Sequence, residues 1–225
     1  MSSARWTVSN IGDLIRRINA NYDEEIWMRN IQVSDRSAAF IADALITSTV
    51  LSEVWLSNCD ISDRGAMELS RVLRHPGCCI KFLNLSGNEI GDEGAAAIFS
   101  ALECNTSVQS IFLNENCIGD EGILALAKML KTNKTLREVY LWDNRLTDRG
   151  CEEIARTMML NKTITKCEID NGDEDEINEV QDKEIIHTIR TYCERNVATQ
   201  RDKLIERNPH NFRRTTREVM DFEKV

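Results

Sequence analysis

The sequence predicts an α/β repeat fold, in which short strands and helices alternate along a stack of similar coils. Three observations carry the prediction. Ile80, Val108, Leu136 and Ile164 open similar stretches at steps of 28 residues, and a fixed period of this size marks a solenoid or array. Within each step the apolar residues first alternate, as in Leu83 and Leu85, and then recur four apart, as in Ile98 and Leu102; the first spacing is that of a strand and the second that of a helix face. Polar residues recur in columns as well: Asn88, Asn116 and Asn144, then Asp92, Asp120 and Asp148, then Gly94, Gly122 and Gly150.

Taken in chain order, residues 1–24 place Trp6, Ile11, Leu14, Ile15 and Ile18 near one helical face, which predicts a helix closing the first end of the core. Residues 25–163 hold five copies of the repeat. "EEIWMRNIQVSDRSAAFIADAL" carries Ser37 where later copies have glycine, and "LSEVWLSNCDISDRGAMELSRVL" precedes the longer turn HPGCC. "IKFLNLSGNEIGDEGAAAIFSAL", "VQSIFLNENCIGDEGILALAKML" and "LREVYLWDNRLTDRGCEEIARTM" follow in strict phase. Residues 164–196 form a divergent last repeat or cap, with an acidic insertion between strand and helix: nine acidic residues and one lysine lie between Glu168 and Glu184. This run reads as a solvated acidic loop, since its carboxylates lack the alternation of a calcium loop. Residues 197–225 are a charged tail with Pro209 and a basic cluster at Arg213, Arg214 and Arg217, and Arg213-Arg214-Thr215-Thr216 is similar to a basophilic kinase target at Thr216.

The pattern L-x-x-L-x-L-x-x-N-x-I-x-D-x-G followed by a helix resembles the ribonuclease-inhibitor-like class of leucine-rich repeats. That resemblance implies a horseshoe, with a parallel concave β-sheet, convex helices and helical caps at both ends. It also implies that Asn88, Asn116 and Asn144 bridge the backbones of adjacent coils, with Cys59 in the same column. Asp92, Asp120 and Asp148, completed by Asp35 and Asp63, stand at helix starts and are expected to stabilise unpaired N–H groups there. The glycines after them allow tight packing or an unusual backbone angle. A single unit buries about six apolar side chains at roughly 1.5–3 kcal/mol each, too little against the backbone entropy of its residues, so stability must come from stacking. A second, local resemblance covers 164–196, where "IDN", "EII" and "ERN" are similar to a late repeat of the tropomodulin actin-capping domain.

Composition bounds the function. The formal charge of −9 argues against broad attraction to nucleic acid or an anionic membrane. The chain has no apolar run long enough to cross a bilayer and no secretory signal, so an intracellular, cytoplasmic protein is expected. Its eight cysteines show no paired zinc spacing and are read as reduced thiols. The three sequons at Asn105, Asn133 and Asn161 recur at one turn of the repeat and are not expected to carry sugar. Three histidines, at 75, 187 and 210, accompany no nucleophile, metal set or phosphate loop, which predicts no enzyme, no catalytic residue, no metal and no cofactor.

Binding is expected on the concave strands, where alternate residues face outward from the core. One column reads Trp27, Trp55, Asn84, Phe112, Tyr140 and Glu168, and the next Arg29, Ser57, Ser86, Asn114, Trp142 and Asp170. Exposed aromatic clusters anchor protein interfaces. The predicted protein-binding residues are therefore Trp27, Arg29, Trp55, Phe112, Tyr140 and Trp142, with Glu115 and Asp143 in an acidic rim, beside Asn58, that suits a basic partner. The expected function is a scaffold binding a protein through that face, as a subunit of a larger assembly. The family resemblances imply two alternatives: a regulator of an enzyme such as a small GTPase or nuclease, and an actin-filament cap of tropomodulin type.

Overall fold

A computed structural model describes residues 10–21, 23–170 and 182–207, with side chains described as far as Lys203. Trp6, the acidic stretch 171–181, Pro209, His210, the basic cluster and Thr216 lie outside the described residues. Helices and strands alternate throughout: α1 (Ile11–Ala20), β1 (Glu25–Arg29), α2 (Asp35–Thr47), β2 (Glu53–Ser57), α3 (Asp63–Arg74), β3 (Phe82–Asn84) and α4 (Asp92–Leu102). They continue as β4 (Ser110–Phe112), α5 (Asp120–Thr132), β5 (Glu138–Tyr140), α6 (Asp148–Leu160), β6 (Lys166–Glu168) and α7 (Lys183–Arg207). All six strands pair in parallel, in sequence order from β1 to β6. This is the expected α/β solenoid.

The strand and helix residues predicted to face inward do so. Leu83, Leu85, Ile98 and Leu102 are each at most 3% exposed, as are Ile111, Leu113, Leu126 and Leu130 one coil later. A single core runs from Leu14 in α1 to Cys193 in α7. α1 closes the first end by burying Leu14 and Ile18 against it, and Arg17 holds the following turn with two hydrogen bonds to Asp23, at 2.9 and 2.8 Å. α7 closes the other end with Ile189 and Cys193, and it continues past the expected boundary at 196 and 197 to Arg207.

Two asparagine ladders tie the coils together. In the first, Asn88 donates to the carbonyls of Leu56 and Leu85 at 2.9 and 2.8 Å and accepts from the amides of Cys59 and Ile61, both at 3.0 Å. Asn116 and Asn144 repeat the arrangement on Leu85 and Leu113. Cys59, fully buried, substitutes its thiol, which lies against the carbonyls of Ser57 and Met28. The second ladder lies at the helix ends and consists of the sequon asparagines. Asn105, Asn133 and Asn161 are buried, donate to Leu73, Leu102 and Leu130 of the preceding coil, and accept from the amides that lead into the next strand. Asn196 holds the same place for α7, on the carbonyls of Asn161 and Ile164.

The aspartate column acts one coil further on than expected. Asp63 Oδ1 accepts from Gly91 and Gly94 at the start of α4, at 2.7 and 2.9 Å, and Asp92 Oδ1 accepts from Gly119 and Gly122 at the start of α5, at 2.7 and 2.8 Å. Asp120 takes the Thr147 amide and hydroxyl, Asp148 the Asp182 amide, and Asp35 the Ser62 hydroxyl. Helices α3 to α6 accordingly have no side-chain cap from their own N-cap residue, whereas α2 is capped by its own Ser34. A carboxylate at a helix start meets the unpaired N–H groups and the positive end of the dipole; here the neighbour supplies it. The glycine column serves this contact rather than an unusual backbone angle, because Gly87 alone among the described glycines has a positive φ, at 68°.

Burial alone would raise the Asp120 carboxyl, but the hydrogen bonds from Thr147 and Gly150 and the Arg149 charge outweigh it and hold the group below its ordinary value. A depressed carboxyl stabilises the fold above its unfolded pKa, about 3.9, and that contribution is lost as pH falls through the lower folded value. Asp120→Asn is therefore expected to be less stable than the parent at pH 7 and to lose less of its stability below about pH 4. Urea unfolding at neutral and acid pH checks this, and parallel losses in the two proteins would contradict it.

Candidate protein-binding surface

Strand register places the predicted column in one row. Trp27 pairs with Trp55, Trp55 with Asn84, Asn84 with Phe112, Phe112 with Tyr140, and Tyr140 with Glu168. The neighbouring core residues Ile26, Val54, Leu83, Ile111 and Val139 point the other way and are buried, so this row faces the concave side.

The rings form a continuous stack. Trp27 and Trp55 lie parallel at 4.1 Å, Phe112 and Tyr140 at 4.4 Å, and Trp55 meets Phe112 across Asn84 at 5.6 Å. Each ring is half-buried rather than open to solvent, because its faces cover one another. The Lys166 ammonium ends the row 4.9 Å from the Tyr140 ring centroid, a favourable place for a cation. Its hydrogen bond to Glu168, joined by Tyr140, outweighs burial and raises the Lys166 pKa, so the charge is firmly held.

A flanking row of carboxylates completes the surface. Trp27 and Trp55 donate their indole N–H groups to Glu25 and Glu53, both at 3.2 Å, and the Tyr140 hydroxyl donates to Glu138 at 3.2 Å. Burial, aided by the Glu138 charge, raises the Tyr140 pKa and keeps its phenol protonated. These glutamates were legible as strand residues two places before each aromatic, hence on the same face.

The other predicted residues surround the stack without joining it. Arg29 is exposed and donates to the Ser57 hydroxyl at 3.2 Å. Trp142 stands in the next column, half-buried. Glu115 and Asp143 occupy the turn after the strand, with φ of 53° and 52°, in a left-handed column shared with Asn30, Asn58 and Gly87. Between stack and turn, the Ser86 hydroxyl and Asn114 Oδ1 are buried without a hydrogen-bond partner.

Three buried cysteines are held as thiols. Burial and the nearby Asp120, Asp148 and Asp170 push Cys151 up to about 12, burial lifts Cys193 to about 11, and Cys167 is raised well above its ordinary value by burial. Such thiols stay protonated, and it is the thiolate that reacts.

Comparison with known proteins agrees with this architecture. The leucine-rich-repeat family profile matches residues 47–70, 78–99, 104–127 and 132–155, and these four segments are leucine-rich repeats. No curated protein matches it in sequence. Among solved structures, it is similar to leiomodin-1 actin-binding site 2, with a TM-score of 0.59 and 20% identity, covering 91% of this chain and 99% of that one. It is also similar to the Caenorhabditis elegans tropomodulin C-terminal domain, with a TM-score of 0.56 and 15% identity, covering 88% of this chain and 99% of that one. At such identities the likeness is one of fold.

Proposed function

We propose that this protein is a non-enzymatic scaffold that binds a protein partner through its concave face, with basic groups of the partner meeting the carboxylates beside the aromatic stack. The observation that carries this reading is the four-ring stack whose three N–H and O–H groups are each directed to a glutamate. Preordered aromatic surface of this kind binds at little entropic cost, and interface hot spots are enriched in Trp and Tyr. The contact residues are Trp27, Arg29, Trp55, Phe112, Tyr140 and Trp142, with Glu115 and Asp143 at the rim. The ribonuclease-inhibitor-like subclass, an intracellular location, membership of a larger assembly and the four-part division of the chain belong to the same reading.

Recovery of the partner from native cells followed by measured affinity tests it. Trp55→Ala and Tyr140→Ala are each expected to weaken binding by about tenfold or more, equivalent to at least about 1.4 kcal/mol, while circular dichroism reports an intact fold. Unchanged affinity in both folded variants removes the concave-face reading.

Actin-filament capping is a second reading, supported by the likeness to the leiomodin-1 actin-binding site and the tropomodulin domain. Actin elongation rates unaffected at both filament ends would remove it.

A further inference from the structure

The array departs from its own pattern where α6 ends. The two residues before each ladder asparagine are Glu103 and Cys104, then Lys131 and Thr132, then Met159 and Leu160. The last of these coils therefore carries two large apolar side chains where its predecessors carry a charged residue and a small one. Leu160 is 76% exposed and Met159 52%, the highest values among the large hydrophobic residues described. The core does not use them, since Ile154 and Met158 of the same helix fill it and are fully buried.

Leu160 forms one wall of a cleft of about 310 Å³ between the ends of α5 and α6. The buried Leu130 and Thr157 line it from within, and Lys131, Lys134, Glu153 and Arg156 surround it. Ligand clefts begin at about this size, so one bulky side chain and its neighbours fit.

The chain carries a formal charge of −9, yet this corner is positive. Arg156 is answered by Glu152 and Glu153, and Lys128 by Glu103. Lys131, Lys134 and Lys162 form no ion pair among the described residues; Lys134 donates to the Lys131 carbonyl at 3.2 Å and Lys162 to the Met159 carbonyl at 3.3 Å. Arg137 and Arg195 also donate to carbonyls here, those of Lys134 and Met159. Cations at helix C-termini offset the dipole, which accounts for each of them singly. It does not account for an exposed leucine in their midst.

We infer that this corner is a second docking surface, which receives an acidic segment of a protein partner. One bulky apolar side chain of the segment enters the cleft against Leu160 and Leu130, and carboxylates on either side of it meet Lys131, Lys134 and Lys162 in charge-assisted hydrogen bonds. The inference does not depend on the concave-face reading. Nucleic-acid phosphates would use the lysines and leave the cleft empty, and a lipid surface would use the tip of Leu160 but not the inner wall at Leu130.

The test uses the full chain and a fluorescent peptide holding one leucine between two pairs of aspartates. Two controls replace the leucine by serine or the aspartates by lysines. The first peptide is expected to bind, both controls at least about tenfold more weakly, and its affinity should fall as salt is raised. Leu160→Thr, which restores the residue type of Thr132, and the double variant Lys131→Glu/Lys134→Glu should each weaken the peptide by about tenfold, with circular dichroism unchanged. Trp55→Ala should leave this binding as it is. Equal binding of the three peptides, or no effect of either corner variant, overturns the inference while leaving the concave-face measurement standing. Binding of phosphatidylserine vesicles that Leu160→Thr abolishes, or self-association that it abolishes, overturns it too.

Discussion

Asn116→Ala is expected to lower the free energy of unfolding by about 2–4 kcal/mol, read as an earlier midpoint in urea with an unchanged slope. Asn116 is 7% exposed, donates to the carbonyls of Leu85, Leu113 and Asn114 at 3.0–3.1 Å, and accepts from the Ile90 amide at 3.1 Å. The ladder shares its bonds: Leu85 keeps Asn88 and Leu113 keeps Asn144 as partners after the substitution. The main loss is therefore the Ile90 amide, which would be buried without its partner. Asn116→Asp should be at least as damaging, because it directs a carboxylate at those same carbonyls. A change below about 0.5 kcal/mol would mean the ladder is ornamental to stability.

Gly94→Ala is expected to destabilise by about 2–3 kcal/mol, although alanine inside a helix ordinarily stabilises relative to glycine by about 1 kcal/mol. A Cβ at Gly94 would stand 2.6 Å from Asp63 Oδ1, 2.9 Å from Asp63 Cα and 3.0 Å from the Ala66 Cβ. The Asp63 Cα cannot turn aside as a side chain can, so α3 and α4 must separate and weaken the hydrogen bonds from Gly91 and Gly94 to Asp63. Ser37 occupies the corresponding place in α2, whose cap is its own Ser34, and there Ser37→Ala should be nearly neutral. A neutral or stabilising Gly94→Ala would refute the account of the glycine column. Thermal unfolding of the two variants side by side decides it.

Much of the architecture was legible because its causes are local and periodic. The alternation around Leu83 and Leu85, the helix spacing of Ile98 and Leu102 and the 28-residue step suffice to order strands, helices and the aromatic row. The target of the aspartates was not legible, because a carboxylate near one helix looks the same in sequence whichever helix it caps; only the stacking distance directs Asp63 to α4. The second ladder had a visible signal in Asn105, Asn133 and Asn161, yet their sequon context drew attention to the turn rather than to buried side chains. Ring exposure was overestimated for a similar reason: a column identifies neighbours, but only coordinates show that Trp27 covers Trp55. Arg195, whose guanidinium donates to the carbonyls of Met158, Met159 and Asn161 at the end of α6, belongs to no column, and the "ERN" in which it stands marked a resemblance without indicating this contact.

The displaced capping gives the array a sense of direction. Each helix from α4 onward begins with backbone N–H groups donating to an aspartate that lies earlier in the chain, while α2 starts on Ser34 without upstream help. A nascent chain can therefore lay down its coils in the order of their synthesis, each finished coil serving as the template for the one emerging behind it.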